Sequence, residues 1–279
     1  MSAPDPEALL ELAVAAARRA GGVLLEHQRR RAAGADHLAV DTKTTATDPV
    51  SEADRAAERA VVATLLTARP DDGLLGEEDT SGNRPGTTGL RWVVDPLDGT
   101  VNYLYRIPQW CVSVAAEDAD GAVVGVVHDP ERDETFAAVR GAGARLLPGD
   151  GTSLDLRVTT VADLDRTLTA TGYAYDPSTR AAWAGDTAAL LAHVRDLRRG
   201  GAAALDLAWV AAGRLDGYLE FGLQAWDWAA GELLVTEAGG RVSHVRRALG
   251  GAVRDGLVAG GPAAHDHLVA WLADRRAPG

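Results

Sequence analysis

An α/β protein built of stacked helical and sheet layers is what this chain predicts, on three observations. Helix-period and strand-period segments alternate in groups along the 279 residues. One apolar strand pattern, Trp92, Val93 and Val94, stops abruptly at Asp95 and Asp98. Glycine or proline marks many of the joints, at Pro70, Gly121, Gly141, Gly239, Gly240 and Pro262.

The elements follow in order. Asp5 and Pro6 suit an N-cap and first helical position. Residues 6–33 then carry Leu9, Leu12, Ala16 and Val23 at helical spacing. A second helix starts between Ser51 and Asp54 and runs to Ala68, before Pro70. Residues 90–95, 111–117, 121–128 and 134–140 are strand-like, and the last two are close enough for a hairpin. Residues 81–89 read as a surface connection.

Beyond residue 148 the texture changes, with short strands near 157–160 and 168–172 and a helix over 178–196. A helix over 203–213 and a strand over 217–221 come next. Another helix begins near Asp227 and stops at Gly239 and Gly240, as a C-terminal glycine would make it. A strand over 256–260 and a helix over 262–275 close the chain. The division is therefore an N-terminal half, 1–148, and a C-terminal half, 149–279, packed as one unit.

Composition narrows the function. The apolar share, 46%, suits a globular protein with a sizeable core. A formal charge of −12 argues against nucleic acid as a main ligand, since phosphate backbones require a basic face. Cys111 is the single cysteine, so no intrachain disulfide can form and a reducing, cytoplasmic setting is expected. The opening residues lack the basic stretch of a secretory signal. No apolar run reaches membrane-spanning length; residues 202–213 come nearest and are interrupted by Asp206.

The chemistry concentrates in acidic clusters beside structural breaks: Asp48 with Glu52 and Asp54, Glu77 with Glu78, Asp95 with Asp98, and Asp227. A buried strand that ends in Asp95-Pro96-Leu97-Asp98-Gly99-Thr100 delivers two carboxylates to a sheet rim. Carboxylates there are costly unless something positive neutralises them, and a hard divalent cation such as magnesium takes oxygen ligands. Each cluster also has a plain reading. Asp54 and Asp227 suit helix caps, Glu77, Glu78 and Asp79 a solvated run. His265 and His267 do not share a helix face and read as surface residues.

Four motifs occur in order: Asp48-Pro49-Val50-Ser51-Glu52-Ala53-Asp54; Gly76-Glu77-Glu78; Trp92-Val93-Val94-Asp95-Pro96-Leu97-Asp98-Gly99-Thr100-Val101-Asn102; and Trp226-Asp227-Trp228-Ala229-Ala230-Gly231 followed by Glu237-Ala238-Gly239-Gly240. With them the chain resembles, over nearly its whole length, the inositol monophosphatase family of magnesium-dependent, lithium-sensitive phosphatases. The resemblance implies a layered αβαβα sandwich shared with fructose-1,6-bisphosphatase, two to three Mg2+ ions per site, and a homodimer. It implies that Glu77, Asp95, the Leu97 carbonyl and Thr100 surround one ion, that Asp95, Asp98 and Asp227 hold a second, and that Glu77 shares a third with water. Asp54 would bond the Thr100 hydroxyl, so that Thr100 and Glu77 orient the attacking water, while amides of Gly99 and Thr100 cradle phosphate. Glu220, seven residues before Asp227, matches the acid that bonds polyol hydroxyls, and Gly201, Ala202 and Ala203 match a small-residue pocket wall. Lys43 matches a loop lysine that could equally be solvated, Glu78 reads as the neighbour of the true ligand, and Gln224 stands where some relatives have histidine.

Alternatives remain on the same residues. Asp98-Gly99-Thr100 fits half of the haloacid-dehalogenase motif, but Pro96 occupies the place of its nucleophilic aspartate. Histidinol phosphate, fructose 1,6-bisphosphate and 3′-phosphoadenosine compounds are substrates within the resembled family. A non-catalytic regulatory protein could also use this fold.

Overall fold

A computed structural model describes residues 5–32, 40–42, 49–78 and 83–275. In chain order these form α1 (Pro6–Ala32), β1 (Val40–Thr42), β2 (Pro49–Ser51), α2 (Glu52–Ala68), β3 (Gly73–Gly76), β4 (Arg91–Asp98), α3 (Thr100–Tyr105) and β5 (Cys111–Asp118). There follow β6 (Gly121–Asp129), β7 (Glu134–Val139), β8 (Gly143–Pro148), β9 (Leu154–Asp155), β10 (Leu168–Ala170), α4 (Pro177–Leu190) and β11 (Asp196–Arg198). The chain continues as α5 (Ala203–Ala211), β12 (Gly217–Phe221), α6 (Ala225–Glu237), β13 (Arg241–Leu249), β14 (Ala252–Gly260) and α7 (Pro262–Asp274).

Two mixed sheets carry the architecture. The larger has seven strands in the order β3-β4-β5-β6-β7-β8-β9, parallel only between β3 and β4. The smaller has five, β11-β10-β12-β14-β13, with β10 parallel to both β11 and β12. α1 and α2 cover the outer face of the large sheet, where Leu9, Ala13, Ala16, Ala20 and Leu24 of α1 meet Trp92, Val94 and Val126. α5 and α6 fill the space between the sheets. α4 and α7 cover the outer face of the small one, around Trp183, Leu219, Phe221 and Leu268. The result is the layered αβαβα sandwich expected from the sequence, and no helix among the described residues is long and apolar enough to cross a membrane.

Strand alternation decides which side chains reach the middle layer. On β4, Trp92 and Val94 point outward to α1 and α2, and Val93 points inward. On β12, Leu219 and Phe221 point outward and Tyr218 inward.

Several expectations need correction. Residues 157–160 are irregular, because the Val158 amide donates to the Ala238 carbonyl at the end of α6 instead of to a strand. The helix expected over 178–196 stops at Leu190, and Asp196 opens β11. α6 begins at Ala225, which puts Asp227 two residues inside it. The strand expected over 256–260 runs from Ala252. β1, β2, β3, β8, β9, β11, β13 and the short α3 were outside the reading of the sequence. His265 is buried, bonded to Ser243 Oγ at 2.9 Å and Asp266 at 3.0 Å; only His267 is a surface residue.

Candidate active site

The strand that carries Asp95 breaks its own alternation. Its pairing with β5 shifts register between Asp95 and Asp98, a bulge that inserts one extra residue into β4. In a regular strand two residues three apart face opposite ways. Here Leu97 packs into the outer core while Asp98 turns inward to the N-terminus of α5, on the side that Val93 faces. The chain then turns at Gly99, with φ 93°, where a β-carbon would come within 2.9 Å of the Gln109 carbonyl and 3.2 Å of Ala202. Only glycine fits both the torsion and the space.

Main-chain donors hold the acids in place. The Leu97 amide donates to Asp95 Oδ1 at 2.9 Å, and the Ala204 amide to Asp98 Oδ2 at 2.7 Å. The Cys111 thiol touches the same Asp98 oxygen at 3.7 Å. The Gln224 amide donates to Asp227 Oδ2 at 2.6 Å, so the acid caps its own helix, as its plain reading anticipated in part. Ser113, opposite Asp95 on β5, donates to the Trp226 carbonyl at 3.2 Å and so draws the start of α6 to the rim. Glu77 follows β3, its amide bonded to the Val94 carbonyl at 3.2 Å, one residue from Asp95. The Thr100 hydroxyl lies 3.2 Å from Asp54 and 3.1 Å from the Leu97 carbonyl; with one hydrogen it donates to one of them at a time.

These residues share a cavity of about 700 Å3, lined by Glu77, Glu78, Asp95, Leu97, Asp98, Gly99, Thr100, Gly201, Ala203, Glu220, Gln224, Trp226 and Asp227. Asp54 is buried behind Thr100 rather than on the wall, and Ala202 is buried behind Gly99. Asp48 and Lys43 lie outside the described residues. The reading of the sequence missed Arg55, Arg199, Arg254 and the stretch 172–176, all on the cavity wall. It also missed Tyr218, which donates to Glu220 Oε2 at 2.6 Å. Tyr218 had a visible signal, since residues two apart on a strand share a face.

The electrostatics ask for a cation. Burial, then the charges of Glu77, Asp98 and Asp227, hold the Asp95 carboxyl well above the usual carboxylate range. Burial raises Asp98 to about 6, although the amides of Ala204 and Ala203 pull it down. Burial and the neighbouring Asp98 push Asp227 up, and burial raises Glu220 to about 7. The last two line the cavity and are half-buried. Without a cation such acids are relieved by protonation; a multivalent cation would relieve them while ionised, and all-oxygen donors suit Mg2+. Among the described residues no three acids, histidines or cysteines are drawn around one point. Donor chemistry and charge fit the metal.

A fold of two mixed sheets around a carboxylate-walled cavity defines a class, and comparison with known proteins agrees. The family model described as inositol monophosphatase family matches residues 5–276, and the chain belongs to that family. Nus factor SuhB of Salmonella typhimurium is 40% identical over 268 residues, covering 95% of this chain and 96% of that one. The crystal structure of extragenic suppressor protein suhB from Bartonella henselae superposes with a TM-score of 0.83 at 38% identity, covering 95% of this chain and 98% of that one. The structure of inositol monophosphatase from Anabaena superposes with a TM-score of 0.76 at 32% identity, covering 96% of each.

Proposed function

We propose that this chain is a Mg2+-dependent phosphomonoesterase that hydrolyses myo-inositol 1-phosphate or a related polyol phosphate by direct attack of water, with no phosphoenzyme. The observation that carries the reading is the gathering of Glu77, Asp95, Asp98 and Asp227, three of them with raised pKa, beside the Gly99 turn on one cavity. Membership of the inositol monophosphatase family supports it. Glu77, Asp95, the Leu97 carbonyl, Asp98 and Asp227 would hold the metal. Bound Mg2+ supplies positive charge for the phosphoryl oxygens and acidifies the attacking water.

The remaining work falls to the chain. Asp54 orients the Thr100 hydroxyl, which with Glu77 would direct the water to phosphorus. The amides of Gly99 and Thr100, at the first turn of α3, would take phosphate oxygens. Glu220 would bond ring hydroxyls, with Gly201 and Ala203 keeping that wall low. Lithium inhibition and a homodimer belong to the same reading.

Phosphate release with Mg2+ tests it, from inositol 1-phosphate, histidinol phosphate, fructose 1,6-bisphosphate and 3′-phosphoadenosine 5′-phosphate in parallel. Preference for inositol 1-phosphate is expected, and Asp95→Asn should lower the rate more than roughly 1000-fold. Preference for another substrate would retain the metal site and refute the assignment to inositol 1-phosphate. The name Nus factor, carried by the 40% identical Salmonella relative, supports a second reading, a regulatory role on this fold. No release from any substrate would favour it, and Asp95→Asn would leave such a role intact.

A further inference from the structure

Glu220 is held on the cavity wall by a tyrosine side chain. It receives the Tyr218 hydroxyl at 2.6 Å on Oε2, from the same inward face of β12. Tyr218 is fully buried in the core between the sheets, so its hydroxyl has no freedom to follow a moving partner. The carboxylate also lies against Gly172. A β-carbon there would stand 2.1 Å from Oε2 and 2.2 Å from Oε1, closer than any real contact. The main chain of Gly172 is not in the left-handed region, so the backbone does not require glycine at this position. What requires it is the space taken by Glu220.

We infer that Tyr218 and Gly172 are positioning residues for substrate selection: together they clamp the Glu220 carboxylate, and so decide which hydroxyl-bearing phosphate esters the cavity prefers. The inference rests on the reading of this site as a phosphatase with Glu220 as its hydroxyl-binding group. Two walls meet in the clamp. β12 supplies Tyr218 and Glu220, while Gly172 lies just past β10, the neighbouring parallel strand. The tyrosine hydroxyl takes one lone pair of Oε2 and fixes the plane of the carboxylate, and so sets the directions in which its remaining lone pairs can receive a substrate hydroxyl. A hydrogen bond offered in a fixed direction discriminates by geometry, because a hydroxyl of the wrong stereochemistry leaves the buried acid poorly paired. Removal of Tyr218's hydroxyl frees the acid to rotate. A methyl group on residue 172 expels it from its place. Both changes should act on selection and not on the phosphoryl chemistry at Asp95 and Thr100.

The test compares a hydroxyl-bearing substrate, inositol 1-phosphate, with an aryl phosphate that has no ring hydroxyl, p-nitrophenyl phosphate. The quantity read is the ratio of their kcat/KM values, with KM and kcat resolved separately and melting temperature recorded for every variant. Tyr218→Phe and Gly172→Ala should each lower the ratio roughly tenfold, mainly through KM for the polyol ester, as loss of an oriented bond to a charged group predicts. In a Glu220→Ala background, Tyr218→Phe should remove no further discrimination, since its action passes through Glu220. Equal losses on both substrates, or an undiminished effect in that background, would assign the two residues a merely structural role and overturn the inference. A ratio that survives both substitutions overturns it as well. A wild-type enzyme with no preference for the polyol ester would instead refute the reading of the site, and the inference with it.

Discussion

At the rim of the seven-stranded sheet, Asp95 and Asp98 are held by amides, those of Leu97 and Ala204. At the rim of the five-stranded sheet, Glu220 is held by a tyrosine hydroxyl and the absence of a side chain at residue 172. The difference divides the labour. Amides are present whatever the local side chains, so the acids expected to hold metal keep their geometry as the sequence drifts. A side-chain clamp can be altered by one substitution, which suits the part of a cavity that chooses among substrates. Chemistry on one rim is thereby insulated from selection on the other.

Three changes would break or sharpen that contrast. Thr100→Val removes the hydroxyl shared by Asp54 and the Leu97 carbonyl with little change of volume. Its kcat should fall about 100-fold, and equally on aryl and polyol phosphates, because the group serves the chemistry common to both. A loss confined to polyol esters would place Thr100 with the selecting rim instead.

The acids also tie stability to pH when metal is removed. Asp95, Asp98, Asp227 and Glu220 all have raised pKa values, Asp98 about 6 and Glu220 about 7. The folded chain therefore retains protons that the unfolded chain releases above about pH 4. Stability is lost as pH rises from there through the folded values. The melting temperature of chelator-treated protein should drop by on the order of 5 °C between pH 5 and pH 8. Saturating Mg2+ should flatten the profile, and a flat profile without metal would show that folding does not raise the pKa values of these acids.

Cys111→Ala should have the smallest effect. The thiol is a weak donor to Asp98, and the amide of Ala204 remains. The Mg2+ concentration for half-maximal activity should rise by only about two- to threefold. A large change would mean that the amide does not by itself fix Asp98.

Much of this was legible in the sequence, for physical reasons that differ by element. Leu9, Leu12 and Ala16 mark a helix by spacing, and Trp92, Val93 and Val94 mark a strand by type. The bulge was not legible: alternation alone sends Asp95 and Asp98 to opposite faces, and only the pairing with β5 shows the shift. β13 was hidden by Arg241, His244, Arg246 and Arg247, because a strand with exposed positions can be polar along most of its length. Residues 157–160 erred the other way, since Val158, Thr159 and Thr160 have strand character but no strand partner. Three of the four motifs supply residues to the wall of the cavity, the first places Asp54 behind Thr100, and Arg199, Arg254 and the stretch 172–176 reach the wall only through tertiary folding.

The middle layer carries a consequence for how the molecule is made. The large sheet is complete once Asp155 has been synthesised, yet the helices that cover its inner face, α5 and α6, end only at Glu237. At ordinary elongation rates that interval lasts several seconds. Throughout it Val93, Ala115, Val127 and Phe136, all buried in the finished protein, lack the helices that cover them there. The strands of that wall thus leave the ribosome well before its cladding does, and a sheet formed in the interval would stand bare on one side.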